Sequence, residues 1–364
     1  MFSGVKKFIN HHKRKFVFGG IIIGGIFVIS KYTQKKIQEW HQRELQDMLL
    51  RTRRSQHFEG TEKSCNQTIT SVSSCIKNSI LTTLDSDKII NDLKNGTIDK
   101  INGWNKLKIY SIAKTVTIIY AKTMIVATLR VQVTLMGAHM FKNSQVNEMI
   151  NNLDDDKQQK YLTLCSYFVD NGIQKLCLFI KDKVDDIVKT VSLADKLTIR
   201  DLEQIYRGIM SSILADEENN PVKNLASYMF DCNIDESIDD PVLKKIINET
   251  LDLMESEEIQ QLMQSSVRKG FVLLIDHISE YFNDTDQNGI TNKNSLSMKN
   301  GLFSDLLVDF NKATMPMAKI IPIINSQVNE SSSCNDISTV WLQNLIDDDK
   351  FKTFGANIYE AFSF

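Results

Sequence analysis

The sequence predicts an all-α fold: one large helical bundle preceded by a single N-terminal transmembrane helix. Three observations predict it. The 364 residues hold only 15 glycines and 4 prolines, too few turn-formers for a many-stranded sheet. The longest apolar segment, residues 104–141, has no proline and a single glycine near its end. It is too long for one strand and lacks hairpin turns, so it reads as a central buried helix. Elsewhere apolar residues recur at three- and four-residue spacing, the signature of helices with one face on a core.

The first element is the anchor. Residues 16–29 carry no charge, and Phe16, Val17, Phe18, Ile21, Ile22, Ile23, Ile26, Phe27, Val28 and Ile29 make them strongly apolar. Lys13, Arg14 and Lys15 close one end and Lys31 the other, which a buried core helix would not tolerate. Fourteen helical residues rise ~21 Å against a hydrocarbon layer of ~30 Å. Lys15 and Lys31 can snorkel and Tyr32 can sit among headgroups, which narrows the gap. No small-residue cleavage pattern follows Ile29, against a secretory signal. The expected layout is a basic segment at 1–15, an anchor at 16–30 and a helical domain over 31–364. The fifteen residues before the span hold five Lys/Arg and the fifteen after it four, a difference too small to set orientation. Gly20 and Gly24 match GxxxG, but with glycines also at 19 and 25 the pattern reads as lax composition.

Past the anchor, Ile37, Trp40, Leu45, Met48 and Leu49 fall near one helical face, with Glu39 and Arg43, and Asp47 and Arg51, at i,i+4. A helix is expected to run from the span into the body. In the central segment Lys114, Lys122 and Arg130 recur every eight residues, leaving no 18-residue apolar run for a second span. Leu202, Ile205, Ile209 and Ile213 form a stripe behind Thr198 and Asp201, a capping box in outline. Asn220-Pro221 and Asp240-Pro241 each place a capping residue before a proline at a first helical position. Leu243, Ile246, Ile247, Leu251 and Met254 supply the next core face. Polar loops fall near 143–156, 216–240 and 283–300.

Several chemistries are not supported. Lys and Arg number 43 against 45 Asp and Glu, a formal net charge of -2, with no basic surplus for nucleic acid. The six cysteines form no CxxC and no compact framework, as in a chain with reduced thiols. The six histidines make no HExxH or zinc spacing. Asp284, Asp286, Asn288 and Gly289 imitate a calcium loop, but Ser295 stands where a bidentate glutamate is needed. No P-loop, GxGxxG or GxSxG occurs. The sequence therefore points to no catalytic residue, cofactor or metal. Five N-x-S/T sequons, at Asn66, Asn95, Asn248, Asn283 and Asn329, are read as chance matches in an Asn-rich chain.

The stretches "KYTQKKIQEWHQRE", "WNKLKI", "LRVQ", "LLIDHISEYF", "MAKIIPIINSQV" and "ANIYEAFS" occur in this order between residues 31 and 362. As an ordered set they resemble the peroxin-3 family. The resemblance implies a single-pass peroxisomal membrane protein, N-terminus in the lumen and all-helical domain in the cytosol. It implies a non-enzymatic docking factor: an apolar groove at the end distal to the anchor receives an N-terminal amphipathic helix of the shuttle receptor peroxin 19. That receptor brings membrane-protein cargo for insertion beside the peroxisomal lipids. The family's anchoring tryptophan corresponds to Trp104, with Leu93, Lys94, Lys100 and Leu107 around it and Lys319 from "AKIIPI". Residues 95–103 depart from the family pattern, which weakens the carry-over at Lys100. Two alternatives stand beside this reading: a membrane-anchored helical scaffold or tether on another organelle, and a membrane-bound enzyme built from scattered carboxylates.

Overall fold

Helix α1, Lys13–Thr83, opens the chain in the structure, a computed structural model describing the backbone of residues 13–145, 154–231, 240–287, 313–328 and 336–363. The side chains of residues 1–30, and with them every expected anchor residue, lie outside the described residues, as does the calcium-loop imitation from Asp284 onward. The chain forms two compact units, Met1–His57 and Phe58–Phe364. In the first, the side chains described from residue 33 to residue 53 are exposed on every face. The apolar stripe read from the sequence is among them: Ile37 is 52% exposed and Trp40 61%. The second compact unit starts at Phe58.

The second unit is organised by one helix. After α2, Ser86–Asn95, α3 runs Lys100–Gln145, and residues 111–135 are buried without a break. A helix apolar all round belongs in a core or a membrane. Among the described residues α3 alone is long and apolar enough to cross a bilayer, and its apolar window is wholly buried in the body. It is the core helix that residues 104–141 predicted.

Around α3 pack α4 (Asp155–Thr163), a π turn at Phe168–Gly172, α5 (Ile173–Val188), α6 (Ile199–Ala215), α7 (Leu225–Met229), α8 (Pro241–Glu255) and α9 (Glu257–Gln287). The C-terminal helices α10 (Met317–Ser326), α11 (Ile337–Asp347) and α12 (Asp349–Phe362) complete the shell. Two short strands, β1 (Lys196–Leu197) and β2 (Met315–Pro316), pair antiparallel with Leu197 opposite Met315. The fold is an all-α bundle.

Local signals held where the chemistry was local. Thr198 and Asp201 form a complete capping box on α6. Asp240 accepts from the Val242 and Leu243 amides with Pro241 at the first helical position of α8. Asn220 did not start a helix. Its Oδ1 accepts from the Val222 amide 2.9 Å away, Asn224 donates to the Glu217 and Glu218 carbonyls, and helix resumes only at Leu225. The described cysteines, Cys65, Cys75, Cys165 and Cys177, are unpaired.

Charges on α3 are accommodated without a continuous polar face. Lys108 donates to the carbonyls of Val188 at 2.9 Å and Val191 at 2.5 Å. Lys114 donates to Ser86 Oγ at 3.2 Å and Asn325 Oδ1 at 2.7 Å. Lys122 donates to the Ser73 carbonyl and hydroxyl, and Arg130 to the Ile346 carbonyl. Such bonds are what allow buried cations at all.

Candidate functional site

The corner between α2 and α3 carries most of the residues singled out from the sequence. Asp85 caps α2 through the Lys88 amide, and Gly96 ends it at φ 68°, a left-handed conformation that glycine adopts without strain. Asp99 then accepts from the Asn102 amide at 3.0 Å and opens α3. The sharp turn folds Leu93 back onto the first turn of α3. A Cβ on Gly103 would lie 2.4 Å from Leu93 Cδ2 and 3.1 Å from Ile98 Cγ2. The absence of a side chain at 103 is therefore what allows Leu93 to seat against the first turn of α3.

Trp104 is half-buried, packed against the core on one side and open on the other. Leu93 is likewise half-buried, and Lys94 and Lys100 are exposed. Leu107, one turn after Trp104, is buried. Its side chain presents little surface of its own. Lys319 is exposed on the first turn of α10. The start of α10 is tied to the same end of α3: the Met317 and Ala318 amides donate to the Asp195 and Leu193 carbonyls, and Lys108 holds the preceding Val188 and Val191 carbonyls.

Lys108 is the residue that sequence reasoning missed. Burial pulls its pKa down, partly offset by Asp185 and Asp195. Its position one turn past Trp104 was the available signal. The cavities lined by Asn78 and Asp92, by Glu258 and Phe354, and by Ile199 and Asp276 do not include Trp104. Among the described residues no group of three or more His, Cys, Asp or Glu side chains is placed to hold a metal.

Fold and corner together define an all-α bundle protein built around one wholly buried helix, with a half-open aromatic corner at the start of that helix. The family model for Peroxin-3 matches residues 7–101 and 140–361. The Peroxisomal biogenesis factor 3 of Cricetulus longicaudatus is 31% identical over 385 residues, covering 100% of this chain and 98% of that relative. That of Homo sapiens is 30% identical over 382 residues with the same coverage. Peroxisome biogenesis protein 3-1 of Arabidopsis thaliana is 21% identical over 295 residues, 73% of this chain and 81% of the relative. The chain belongs to the Peroxin-3 family. It is accordingly a peroxisome biogenesis factor and a peroxisomal membrane protein, from a family of biogenesis factors and not of enzymes. Leu93, Lys94, Lys100 and Lys319 lie inside the matched segments, while Trp104 and Leu107 lie between them.

Proposed function

We propose that the chain is a docking receptor in which the α2–α3 corner receives an amphipathic helix of the cargo-loaded shuttle receptor peroxin 19. The observation that carries this reading is the half-open indole of Trp104. An aromatic held on one side by its own core and open on the other is the usual form of an interface anchor, and helix-in-groove recognition buries such an anchor against the partner's apolar face. Leu93 extends the apolar surface and Leu107 supports it from below. Lys94, Lys100 and Lys319 form a basic rim that steers an acidic partner helix and raises the association rate more than the affinity. No covalent chemistry is involved.

In this reading Phe16 to Ile29 anchor the chain in the peroxisomal membrane, the N-terminus is lumenal and the body cytosolic. Docking then delivers cargo beside the bilayer for insertion. Protease protection of tagged termini on intact organelles tests the orientation: a cytosolic N-terminus overturns it. For the docking step, calorimetry with the N-terminal segment of peroxin 19 compares the native chain with Trp104→Ala. Loss of the anchor is expected to weaken binding by about 2 kcal/mol, roughly thirtyfold, with helicity unchanged. Unchanged affinity, or unfolding of the variant, places Trp104 in the core and removes the basis for the reading.

A further inference from the structure

Helices α6 and α9 enclose a groove of about 560 Å³ that the docking corner does not use. Its floor is apolar: Ile199, Tyr206 and Met210 from α6, with Phe271 and Ile275 from α9. Val272 stands in the α9 wall 59% exposed, an unusual place for a large apolar side chain in the middle of a packed helix. Each wall also carries one arginine and one carboxylate: Glu203 and Arg207 on α6, Arg268 and Asp276 on α9. How these four charges are distributed along the groove depends on the direction of the two helices.

The contacts fix that direction. The chain meets Gln132 at Tyr161, before α5, and Lys108 at Val188, where α5 ends, so α5 runs antiparallel to α3. Helix α6 returns antiparallel to α5, with Gly208 against Ile187 and Asp216 paired to Lys183 at 2.9 Å. Helix α9 starts beside Phe354, whose neighbour Gly355 abuts Thr134, and reaches Ile119 only at Gly270. It therefore runs antiparallel to α3, and antiparallel to α6. With Tyr206 opposite Phe271, their ring centroids 5.8 Å apart, Glu203 and Asp276 lie toward one end of the groove. Arg207 and Arg268 lie toward the other.

The outer stripe of α9 reads the same from both ends. Arg268, Val272 and Asp276 are exposed, and half-buried Ser265 and Ser279 flank them. The steps between these residues are three, four, four and three, centred on Val272. Turned about a two-fold axis at Val272, a second α9 lies antiparallel on the first. Its Arg268 then meets Asp276, its Asp276 meets Arg268, and a small serine faces a small serine two turns out on each side. A patch that matches itself under such a rotation is what an isologous contact requires. The groove adds to the match. The second copy's Arg268 arrives at the end holding Glu203 and Asp276, and its Asp276 at the end holding Arg207 and Arg268. Arg207 already bonds Glu203 at 2.5 Å. Among the described residues neither Arg268 nor Asp276 has an ion-pair partner in its own chain, so both charges are available across the contact.

We propose that the α6–α9 groove is a self-association surface whose occupant is a second copy of this chain, α9 packed antiparallel on α9 with Val272 at the two-fold axis. From Ser265 to Ser279 the contact is ~21 Å long. That is small for a stable complex, so the dimer is weak, depends on concentration and loosens with added salt.

Two measurements on the full chain in detergent test this. In sedimentation equilibrium at rising concentration, the native chain is expected to move from one copy toward two. Arg268→Asp sets aspartate against aspartate at both ends of the contact, and Asp276→Arg sets arginine against arginine. Each alone is expected to associate ~tenfold more weakly. Mixed in equal amounts, the two variants present opposite charges to each other, and association should return to near the native level. A native chain that stays monomeric at every concentration overturns the proposal, whatever else covers the groove. Single variants that associate like the native chain also overturn it, since the dimer then uses another surface. The second measurement reads the register by disulfide cross-linking at these exposed or half-buried positions, against the background of the native cysteines. Val272→Cys is expected to link to itself, while Ser265→Cys links to Ser279→Cys and not to itself, because only close Cβ atoms can be bridged. No link at 272 above that background, or self-linking of Ser265→Cys, overturns the antiparallel contact.

Discussion

Lys122→Met isolates the cost of a buried charge in the core helix. The ammonium is buried and, among the described residues, its hydrogen bonds go to the Ser73 carbonyl and hydroxyl on α1. Desolvation brings its pKa down to about 7, against attraction from Asp336 and with a further push from Lys77. A folded-state value below that of the unfolded chain means the unfolded state holds the proton more tightly. Stability therefore rises with pH from about 7 until the unfolded lysine titrates near 10.5. Between pH 7 and 8.5 one such group contributes ~1.5 kcal/mol. Lys114, brought down to about 8 by desolvation, adds ~0.8 kcal/mol by the same integration. The buried tyrosines, pushed upward by burial, act only at higher pH, but burial also raises Cys65, Cys165 and Cys177, whose unfolded thiols begin to ionise by pH 8.5 and together take back ~0.5 kcal/mol. Urea unfolding of residues 37–364 at both pH values is expected to show a gain of ~2 kcal/mol for the native sequence and under ~0.5 kcal/mol for Lys122→Met. At pH 7 the variant should be the more stable by ~2 kcal/mol, as when well-packed apolar residues replace buried ions. Parallel pH slopes for the two proteins, or a variant less stable at pH 7, would refute the reasoning.

Three further outcomes are expected. Gly172→Ala places a Cβ 2.1 Å from the Tyr228 carbonyl oxygen, a backbone atom that cannot swing away, and should lower the unfolding free energy by ~2–3 kcal/mol in the same assay. Thr198→Ala breaks the capping box of α6 and should cost ~1 kcal/mol, with exchange faster in the first turn of α6 and unchanged in α9. Lys94→Glu with Lys319→Glu should slow association with the peroxin 19 helix several-fold at low salt and little at 0.5 M, with dissociation almost unaltered; an equal effect on dissociation would place these lysines inside the contact.

What the sequence made legible was whatever a few neighbouring residues decide. Thr198 with Asp201, and Asp240 before Pro241, each complete their bonds within one turn, and both caps stand where the spacing put them. Asn220 shows the limit. Its side chain does cap, but the Asn224 amide and the Tyr228 hydroxyl, bonded to the Asn219 carbonyl at 2.7 Å, draw the segment into turns. Lys114, Lys122 and Arg130 were read as interruptions that exclude a membrane span, and α3 is indeed a core helix. That each would find a carbonyl, hydroxyl or amide far along the chain was not legible, because Ser73, Asn325 and Ile346 become neighbours only in the fold. The same holds for the groove: the stripe of Leu202, Ile205, Ile209 and Ile213 was readable, while Tyr206 and Met210 acquire meaning only once α9 lies alongside. The residues of the docking corner came from resemblance to the family. Periodicity alone placed Trp104 in the core, and half of it is.

On the docking reading proposed above, the buried Lys108 and the α2–α3 corner act together. A receptor for a helix needs its anchor held still before the partner arrives, since ordering side chains on binding subtracts from affinity. Trp104 stands on the core helix, about two turns before the continuously buried stretch that begins at residue 111. Lys108, on the next turn, binds two carbonyls at the end of α5, and the segment that follows them holds the first two amides of α10. One buried ammonium thus connects the indole, the α5 terminus and the turn bearing Lys319, three pieces far apart in sequence. An apolar residue at 108 would pack as well and avoid the desolvation that pulls this lysine's pKa down. It would leave the carbonyls of Val188 and Val191 without their donor and the rim free to drift relative to the anchor. On that docking reading, what Lys108 supplies at the corner is geometry: it fixes the end of α5, and through the segment that follows, the turn bearing Lys319.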